Sequence, residues 1–302
     1  QALTEGVEGV AGEMTGSETG VQALKDEGVD SGSGCPGGAE LPIYDAIFQQ
    51  NDIRHVLVRH EQGAVHAAQG WARVKGNDQA NGGASTKGSA GVCLATSGPG
   101  AANLLTGIAD AYMDSTPIVC ITGQVFEHLL GSDAFQELDI VSMAAPVTKW
   151  CAQVTQASDI AATVAKAFHF AQSGRPGPVL IDIPKDVQFA SGTYTEKTKR
   201  KSHYQPQVKG DLDSIKELAA AMAKAKKPLF YTGGGVINSG PAATQLLREL
   251  VAATNFPITS TLMGLGAYPA SGENWLGMLG MHGLYEANMA MHDCDLMINI
   301  GA

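Results

Sequence analysis

Positive charge is scarce in this chain. Twenty Lys and Arg stand against thirty Asp and Glu, a net charge of −10 over 302 residues. A duplex-binding surface needs a basic footprint, and the longest basic run is Lys197–Lys201, so no nucleic-acid partner is expected. Long apolar runs are also missing: none approaches the ~18 residues that span a bilayer, which excludes a membrane-crossing helix. The five cysteines, Cys35, Cys93, Cys120, Cys151 and Cys294, are odd in number and never spaced C-x-x-C. That argues against a disulfide framework or a metal site and for buried, reduced thiols in a cytoplasmic protein. Aromatics make up only 6%. The amino-terminal stretch from Gln1 is acidic and Gly-rich, with neither the apolar core of a signal peptide nor the Arg/Ser bias of a transit peptide. It lacks an initiating methionine and reads as processed or truncated.

What the chain has is glycine, 37 residues, with 44% hydrophobic and 17% charged residues. That composition gives ample material for buried cores, and the length suggests two domains. Glycine at this density points to many tight strand-to-helix turns. Short apolar runs alternate with amphipathic stretches, as in βαβ units around parallel sheets. The expected elements are helix Glu18–Gly28, strand Ile53–Arg59, helix Glu61–Lys75, strand Gly91–Thr96, helix Ala101–Tyr112, strand Pro117–Thr122, helix Ile160–Gln172 and strand Pro178–Ile183. After a polar linker come helix Leu212–Lys224, strand Pro228–Thr232, helix Ala242–Ala253 and strands Pro257–Thr261 and Leu296–Gly301. The fold class is α/β: two doubly wound parallel-sheet domains. The boundaries are a disordered tail over 1–16, a domain over 17–188, a linker over 189–210 and an incomplete second domain over 211–302. Asn77–Ala90 (NDQANGGASTKGSA) reads as a flexible surface insert.

Three motifs follow strands and open helices, at the sheet edge where ligands bind in open α/β folds. In VRHEQG, Glu61 is a carboxylate at a helix start; the bland alternative is an acid complementing the helix dipole. In Thr96-Ser97-Gly98-Pro99-Gly100, a tight turn lets backbone N–H groups approach an anion or a flat ring, yet the run is neither a Walker A loop nor a dinucleotide fingerprint. Tyr231-Thr232-Gly233-Gly234-Gly235 resembles a dinucleotide turn but lacks the last glycine and the later acid, which makes an NAD site weak. A fourth group of polar loop residues comprises Gly131–Glu137, Lys149-Trp150, Gly174–Pro178 and Pro184-Lys185-Asp186. For Lys185 and Arg175 the bland readings are a solvated charge and a turn-capping donor.

The stretches CPGGAELPIYDAI (35–47), HVLVRHEQGAVHAA (55–68), ATSGPGAANLLTGIADAYMDSTPIV (95–119), GSDAFQELDIV (131–141), SGRPGPVLIDIPKD (173–186), KKPLFYTGGGVIN (226–238), STLMGLGAYPA (260–270) and MLGMHGLYEANMAMH (278–292) run in order over most of residues 35–301. Together they resemble the catalytic subunit of the acetolactate synthase (acetohydroxyacid synthase) family of thiamine-diphosphate enzymes. The resemblance implies a carboligase that decarboxylates pyruvate and joins it to a second 2-ketoacid in branched-chain amino-acid biosynthesis. It makes residues 17–188 the pyrimidine-binding domain and 211–302 the central, FAD-associated domain. Glu61 matches the cofactor-activating acid, which hydrogen-bonds the aminopyrimidine ring and so promotes loss of the thiazolium proton. Gly38, Ser97, Gly98 and Gly100 match the cofactor pocket. Phe135 and Gln136 match the second-substrate region, with Gln136 near the reacting centre, and Lys185 matches the channel mouth. Arg175, Gly233–Gly235, Thr261, Leu262, Met263, Leu279, Gly280, Met281, His282 and Gly283 match stretches that hold FAD, a structural flavin in this family. A homodimer or tetramer, with a regulatory subunit possible, is implied as well.

Two departures stand out. Asp30–Gly34 is a poor strand by propensity where the family has a strand, and Asn77–Ala90 resembles an insertion. The Gly-Asp-Gly…Asn-Asn motif with which the family binds Mg²⁺ is missing, so no metal ligand is assigned and the chain by itself is expected to be inactive. The competing readings are another flavin-containing thiamine-diphosphate carboligase and a non-catalytic paralogue or binding module.

Overall fold

The computed structural model describes residues 12–80, 90–194, 204–207 and 209–302, with the backbone alone for 76–80. The basic run 197–201, most of the 77–90 stretch and the first eleven residues lie outside the described residues. Residues 12–75 with 90–206 form one compact unit and residues 207–302 a second.

The first unit runs β1 (Gly12–Thr15), α1 (Gly16–Asp26), β2 (Ser31–Cys35), α2 (Leu41–Phe48), β3 (Arg54–Leu57), α3 (Glu61–Ala80), β4 (Gly91–Ala95), α4 (Pro99–Ala102), α5 (Leu105–Met113), β5 (Ile118–Gln124), α6 (Ile140–Ala144), β6 (Trp150–Gln153), α7 (Ile160–Gln172), β7 (Pro178–Pro184), α8 (Lys185–Phe189) and β8 (Ser191–Tyr194). Six strands form a parallel sheet in the order β3-β2-β4-β5-β7-β6. Every residue of β4, β5 and β7 is buried, as a parallel sheet covered by helices on both faces requires. Alternation along the strands splits the core in two. Val92, Leu94, Val119, Ile121, Val179 and Ile181 pack with α1, α2 and α7; Cys93, Ala95, Ile118, Cys120 and Leu180 pack with α3, α5 and α6. The five cysteines are free thiols.

Several expectations need correction here. Gly12–Thr15, expected in the tail, pairs antiparallel with Ser191–Tyr194, expected in the linker. Thr15 then caps α1 by accepting from Glu18 N (3.2 Å) while the Glu18 carboxylate accepts from Thr15 N (2.8 Å), so pairing and cap order the segment together. Ser31–Cys35 is a central strand despite its Gly/Ser composition. Small residues are what this site needs: a Cβ on Gly34 would lie 2.2 Å from the Tyr44 hydroxyl, and Ser33 Oγ donates to the Ala64 carbonyl at 2.8 Å. Tertiary packing overrides propensity. The expected helix Ala101–Tyr112 is two helices, α4 and α5, broken at Asn103-Leu104. Of the expected insert, Asn77–Ala80 continues α3 instead of forming a loop.

The second unit runs α9 (Leu212–Lys224), β9 (Pro228–Thr232), α10 (Gly234–Asn238), α11 (Pro241–Thr254), β10 (Ile258–Ser260), β11 (Trp275–Met278), α12 (Tyr285–Asp293) and β12 (Leu296–Ile300), with a parallel sheet in the order β11-β10-β9-β12. Its core is small: Phe230, Val236, Leu247, Val251, Ile258, Ala267 and Ile298. Among the described residues no helix is long and apolar enough to cross a membrane.

Both sheets reverse their strand order. In the first unit one reversal falls between β2 and β4 and a second at the β7-β6 edge; in the second unit the reversal falls between β9 and β12. The crevice outside the carboxyl ends of the strands flanking such a reversal is where open α/β sheets bind ligands.

Candidate functional site

At the first reversal the turn after β2 and the turn after β4 meet. Thr96 joins them. Its hydroxyl accepts from Ala39 N at 3.2 Å, and its side chain lies where a Cβ on Gly37 or on Gly100 would sit, 2.4 and 2.7 Å from its nearest atoms. Gly38 is exposed on the same turn, while Ser97, Gly98 and Gly100 are buried. Half-buried Glu61 opens α3 beside them. Its Oε2 accepts from Asn103 Nδ2 at 2.9 Å, and its Oε1 lies 3.3 Å from the place a Gly100 side chain would start. The break between α4 and α5 thus serves the site, because it aims Asn103 at Glu61. The sequence alone did not assign Asn103 to the site.

Gln136 joins the same crevice through its backbone. Gly98 adopts φ +56, and a Cβ there would meet the Gln136 carbonyl oxygen at 2.5 Å, so only glycine lets the loop close over the turn. The Gln136 and Phe135 side chains are exposed, Phe135 at 88%. Glu137 ties the loop together. Its carboxylate accepts from Gly131 N and from Ala134 N (2.9 Å), and these N–H groups, Gly131 first, hold it below the usual carboxylate range. Behind the loop, Gln124 Nε2 donates to the Leu138 carbonyl (2.8 Å) and to Asp182 Oδ2 (3.1 Å). Asp182 also accepts from Thr122 Oγ1 (2.6 Å) and Gln153 Nε2 (2.8 Å). Burial pushes Asp182 up to about 6 against these hydrogen bonds, which pull it down. A buried polar residue inside an apolar strand was the signal available for it in PVLIDIP.

Two candidates are placed elsewhere in the unit. Half-buried Lys185 starts α8 and lines a groove of about 590 Å³ with residues of α1 and α2. Arg175 precedes β7, at the amino edge of the sheet. There its Nε donates to Ser115 Oγ (2.7 Å) and its Nη2 to the Tyr112 and Met113 carbonyls (3.3 and 3.1 Å), capping the end of α5.

In the second unit three glycine-bearing turns converge at the carboxyl ends of β9, β10 and β11. Gly233 and Gly235 donate to the Ile300 and Gly301 carbonyls at 3.1 and 2.8 Å. A Cβ on Gly264 would lie 2.6 Å from the Thr232 carbonyl oxygen, so the 261–264 turn can only close against bare backbone. Thr261 caps that turn by accepting from Gly264 N at 3.0 Å, next to exposed Leu262 and half-buried Met263. Leu279–Gly283 follows β11. Gly280 (φ +105) is held by Asn288, while Met281 and His282 are exposed. The Thr232 and Ser260 hydroxyls, at the carboxyl ends of β9 and β10, are buried without a hydrogen-bond partner among the described residues. Among those residues, no group of three or more His, Cys, Asp and Glu could hold a metal ion.

Comparisons with known proteins fit this geometry. A family model described as thiamine pyrophosphate enzyme, N-terminal TPP binding domain, matches residues 14–143, and one described as thiamine pyrophosphate enzyme, central domain, matches residues 215–302. The chain is 48% identical to the acetolactate synthase large subunit of Haemophilus influenzae over 292 residues, covering 95% of this chain and 48% of that protein. It is 47% identical to the acetolactate synthase isozyme 3 large subunit of Escherichia coli over 292 residues, with the same two coverages. A large subunit from Mycobacterium tuberculosis is 47% identical over 96% of this chain and 45% of its own length. The chain spans about half the length of the curated relatives it matches. With both models in their expected order and the Glu61 crevice at the sheet reversal, the chain belongs to the thiamine pyrophosphate enzyme family.

Proposed function

We propose that the protein is the catalytic chain of an acetolactate synthase, which decarboxylates pyruvate and joins it to a second 2-ketoacid to give acetolactate or acetohydroxybutyrate. One observation carries the reading: a half-buried carboxylate at a helix start, with one oxygen anchored by Asn103 and the other beside a bare glycine turn. A flat aminopyrimidine fits such a place, because the turn offers backbone without side-chain bulk. Bound thiamine diphosphate supplies the nucleophilic carbon that attacks a 2-keto group. The residues of the chain do the rest. Glu61 holds and passes a proton at the ring nitrogen, Asn103 fixes its orientation, and the turn 97–100 with Gly38 seats the ring. Gln136 and Phe135 border the second-substrate side, and Lys185 stands at the approach.

The first unit, with β1 and β8 paired on it, is then the pyrimidine-binding domain, and residues 211–302 are the central one. FAD fits the second unit, where the unpartnered Thr232 and Ser260 hydroxyls lie at the carboxyl ends of the strands that lead into the turns 233–235 and 261–264. Magnesium, a dimer or tetramer, a regulatory subunit and a cytoplasmic setting complete the proposal.

The test is Glu61→Gln in the full-length enzyme. Acetolactate formation should fall by roughly 10²–10⁴-fold, the usual worth of a positioned proton carrier, while the flavin absorbance of the purified protein stays. Near-normal acetolactate formation in that variant would overturn the proposal.

A further inference from the structure

The turn entering α2 holds a carboxyl group that the chemistry above leaves unused. Glu40 is 0% exposed, and neither of its carboxyl oxygens has a hydrogen-bond partner among the described residues. A structural acid would show a salt bridge or a helix cap; Glu40 has neither. Its backbone closes the turn, with Glu40 N donating to the Gly37 carbonyl (3.1 Å) and Ala39 N to Thr96 Oγ1 (3.2 Å). Thr96 also packs where a Gly100 side chain would point, next to Glu61 Oε1. The turn that carries Glu40 and the Glu61 carboxyl therefore both adjoin Thr96.

Most of what surrounds Glu40 opposes its charge. Burial, then the Glu61 charge, then Cys93 push its carboxyl up to about 9 against a smaller pull from the Gly37 backbone. Glu61 faces it from α3, Cys93 from β4, and Tyr44 from its own helix. Tyr44 in turn faces Cys35 of β2 and meets His55 of β3 edge-on at 4.9 Å, with its hydroxyl buried and unpartnered. Burial holds His55 below its ordinary value, so it is neutral and offers Glu40 no counter-charge. Two carboxyls that share a poorly solvated site cannot both ionise cheaply, so the more buried one keeps its proton.

We propose that Glu40 is a positioning residue paired with Glu61: it leaves Glu61 as the one carboxyl of the pair that gives up and regains a proton, and stalls Glu61 when it ionises. The idea rests on the reading of Glu61 as the acid that exchanges a proton with the cofactor ring. In that exchange Glu61 gives one proton and takes one back, while Glu40 keeps its own. A second negative charge beside Glu61 would hold the travelling proton on its carboxyl and stop the cycle. Activity should therefore drop on the alkaline side as Glu40 ionises.

The experiment uses the full-length holoenzyme with thiamine diphosphate and magnesium, as wild type and as Glu40→Gln. The first readout is infrared. Wild type at neutral pH should show the carbonyl band of a buried protonated carboxyl, and Glu40→Gln should lose it. The second is kcat/KM for acetolactate formation over about pH 7 to 10, where wild type should fall roughly tenfold per pH unit above the titration of Glu40 and Glu40→Gln less than about twofold. A band missing from wild type or persisting in the variant overturns the proposal, and so does the same alkaline limb in both proteins. If Glu40→Gln does not fold, Glu40→Leu gives the same two readouts. An enzyme that makes no acetolactate overturns the proposed function instead. The infrared comparison then still decides whether Glu40 holds its proton.

Discussion

The two units use the same position for opposite kinds of surface. Each carries its glycine turns at the carboxyl edge where the strand order reverses. In the six-stranded unit that edge is crowded with carboxyl and amide side chains: Glu61, Asn103, Glu40 and, behind the 131–137 loop, Gln124 and Asp182. In the four-stranded unit it consists of bare backbone, two buried hydroxyls unpartnered among the described residues, and exposed Leu262, Met281 and His282. Topology supplies a crevice in both, and side-chain chemistry separates an edge of carboxyl and amide groups from one of bare backbone and hydroxyls. The cores differ as well. The first unit has a double core on both sheet faces, the second a single small cluster.

That contrast can be broken by experiment. The largest stability effect is expected from emptying the cores. Phe168→Ala in the first unit and Phe230→Ala in the second each remove a fully buried ring and should cost about 3–5 kcal/mol. Amide hydrogen exchange should show lost protection mainly within the substituted unit; equal loss across both would mean that the two cores unfold as one. A smaller effect, roughly 1–3 kcal/mol, is expected for Gly98→Ala, which meets both a positive φ and the Gln136 carbonyl. If the first crevice depends on that close approach, the variant should raise KM for the second 2-ketoacid more than it lowers thermal stability. Unchanged kinetics would detach the 131–137 loop from the site. The smallest effect concerns Asp182. Its folded-state value is raised to about 6 from an ordinary 3.8, so the folded state binds the proton more tightly than the unfolded one. Stability from this group is full below the unfolded value and is lost as pH rises through about 6. Chemical denaturation at several pH values should show that decline in wild type, and Asp182→Asn should flatten it. No comparable slope is expected from the carboxyl edge of the second unit.

Much of the fold was legible because period and punctuation agreed. α7 and α9 and strand β9 match their expected bounds, since each pairs a clean hydrophobic pattern with clear ends. β2 was illegible for the opposite reason: SGSGC has no strand propensity, and its place is set by neighbours that demand small residues, Tyr44 and Leu94 among them. β6, β11, α2 and α12 escaped notice because their patterns are short and weakly periodic. At the site, Glu61 and the 97–100 turn stood out as motifs, whereas Asn103 and Glu40 did not. A partner 42 residues away, or a carboxyl stripped of any partner, leaves no local mark in a sequence.

The sequence by itself determined the class of fold, the strand-turn-helix punctuation and the residue types at each sheet edge, because periodicity and turn chemistry act over a few neighbouring residues. Only the tertiary structure decided which turns meet at the reversal of the sheet, that Asn103 reaches Glu61, that Arg175 caps α5 at the opposite edge, and that Glu40 is sealed beside the crevice without a partner. Burial, hydrogen bonding and the electrostatics of a carboxyl depend on what long-range packing brings within a few ångströms, and no local pattern encodes that.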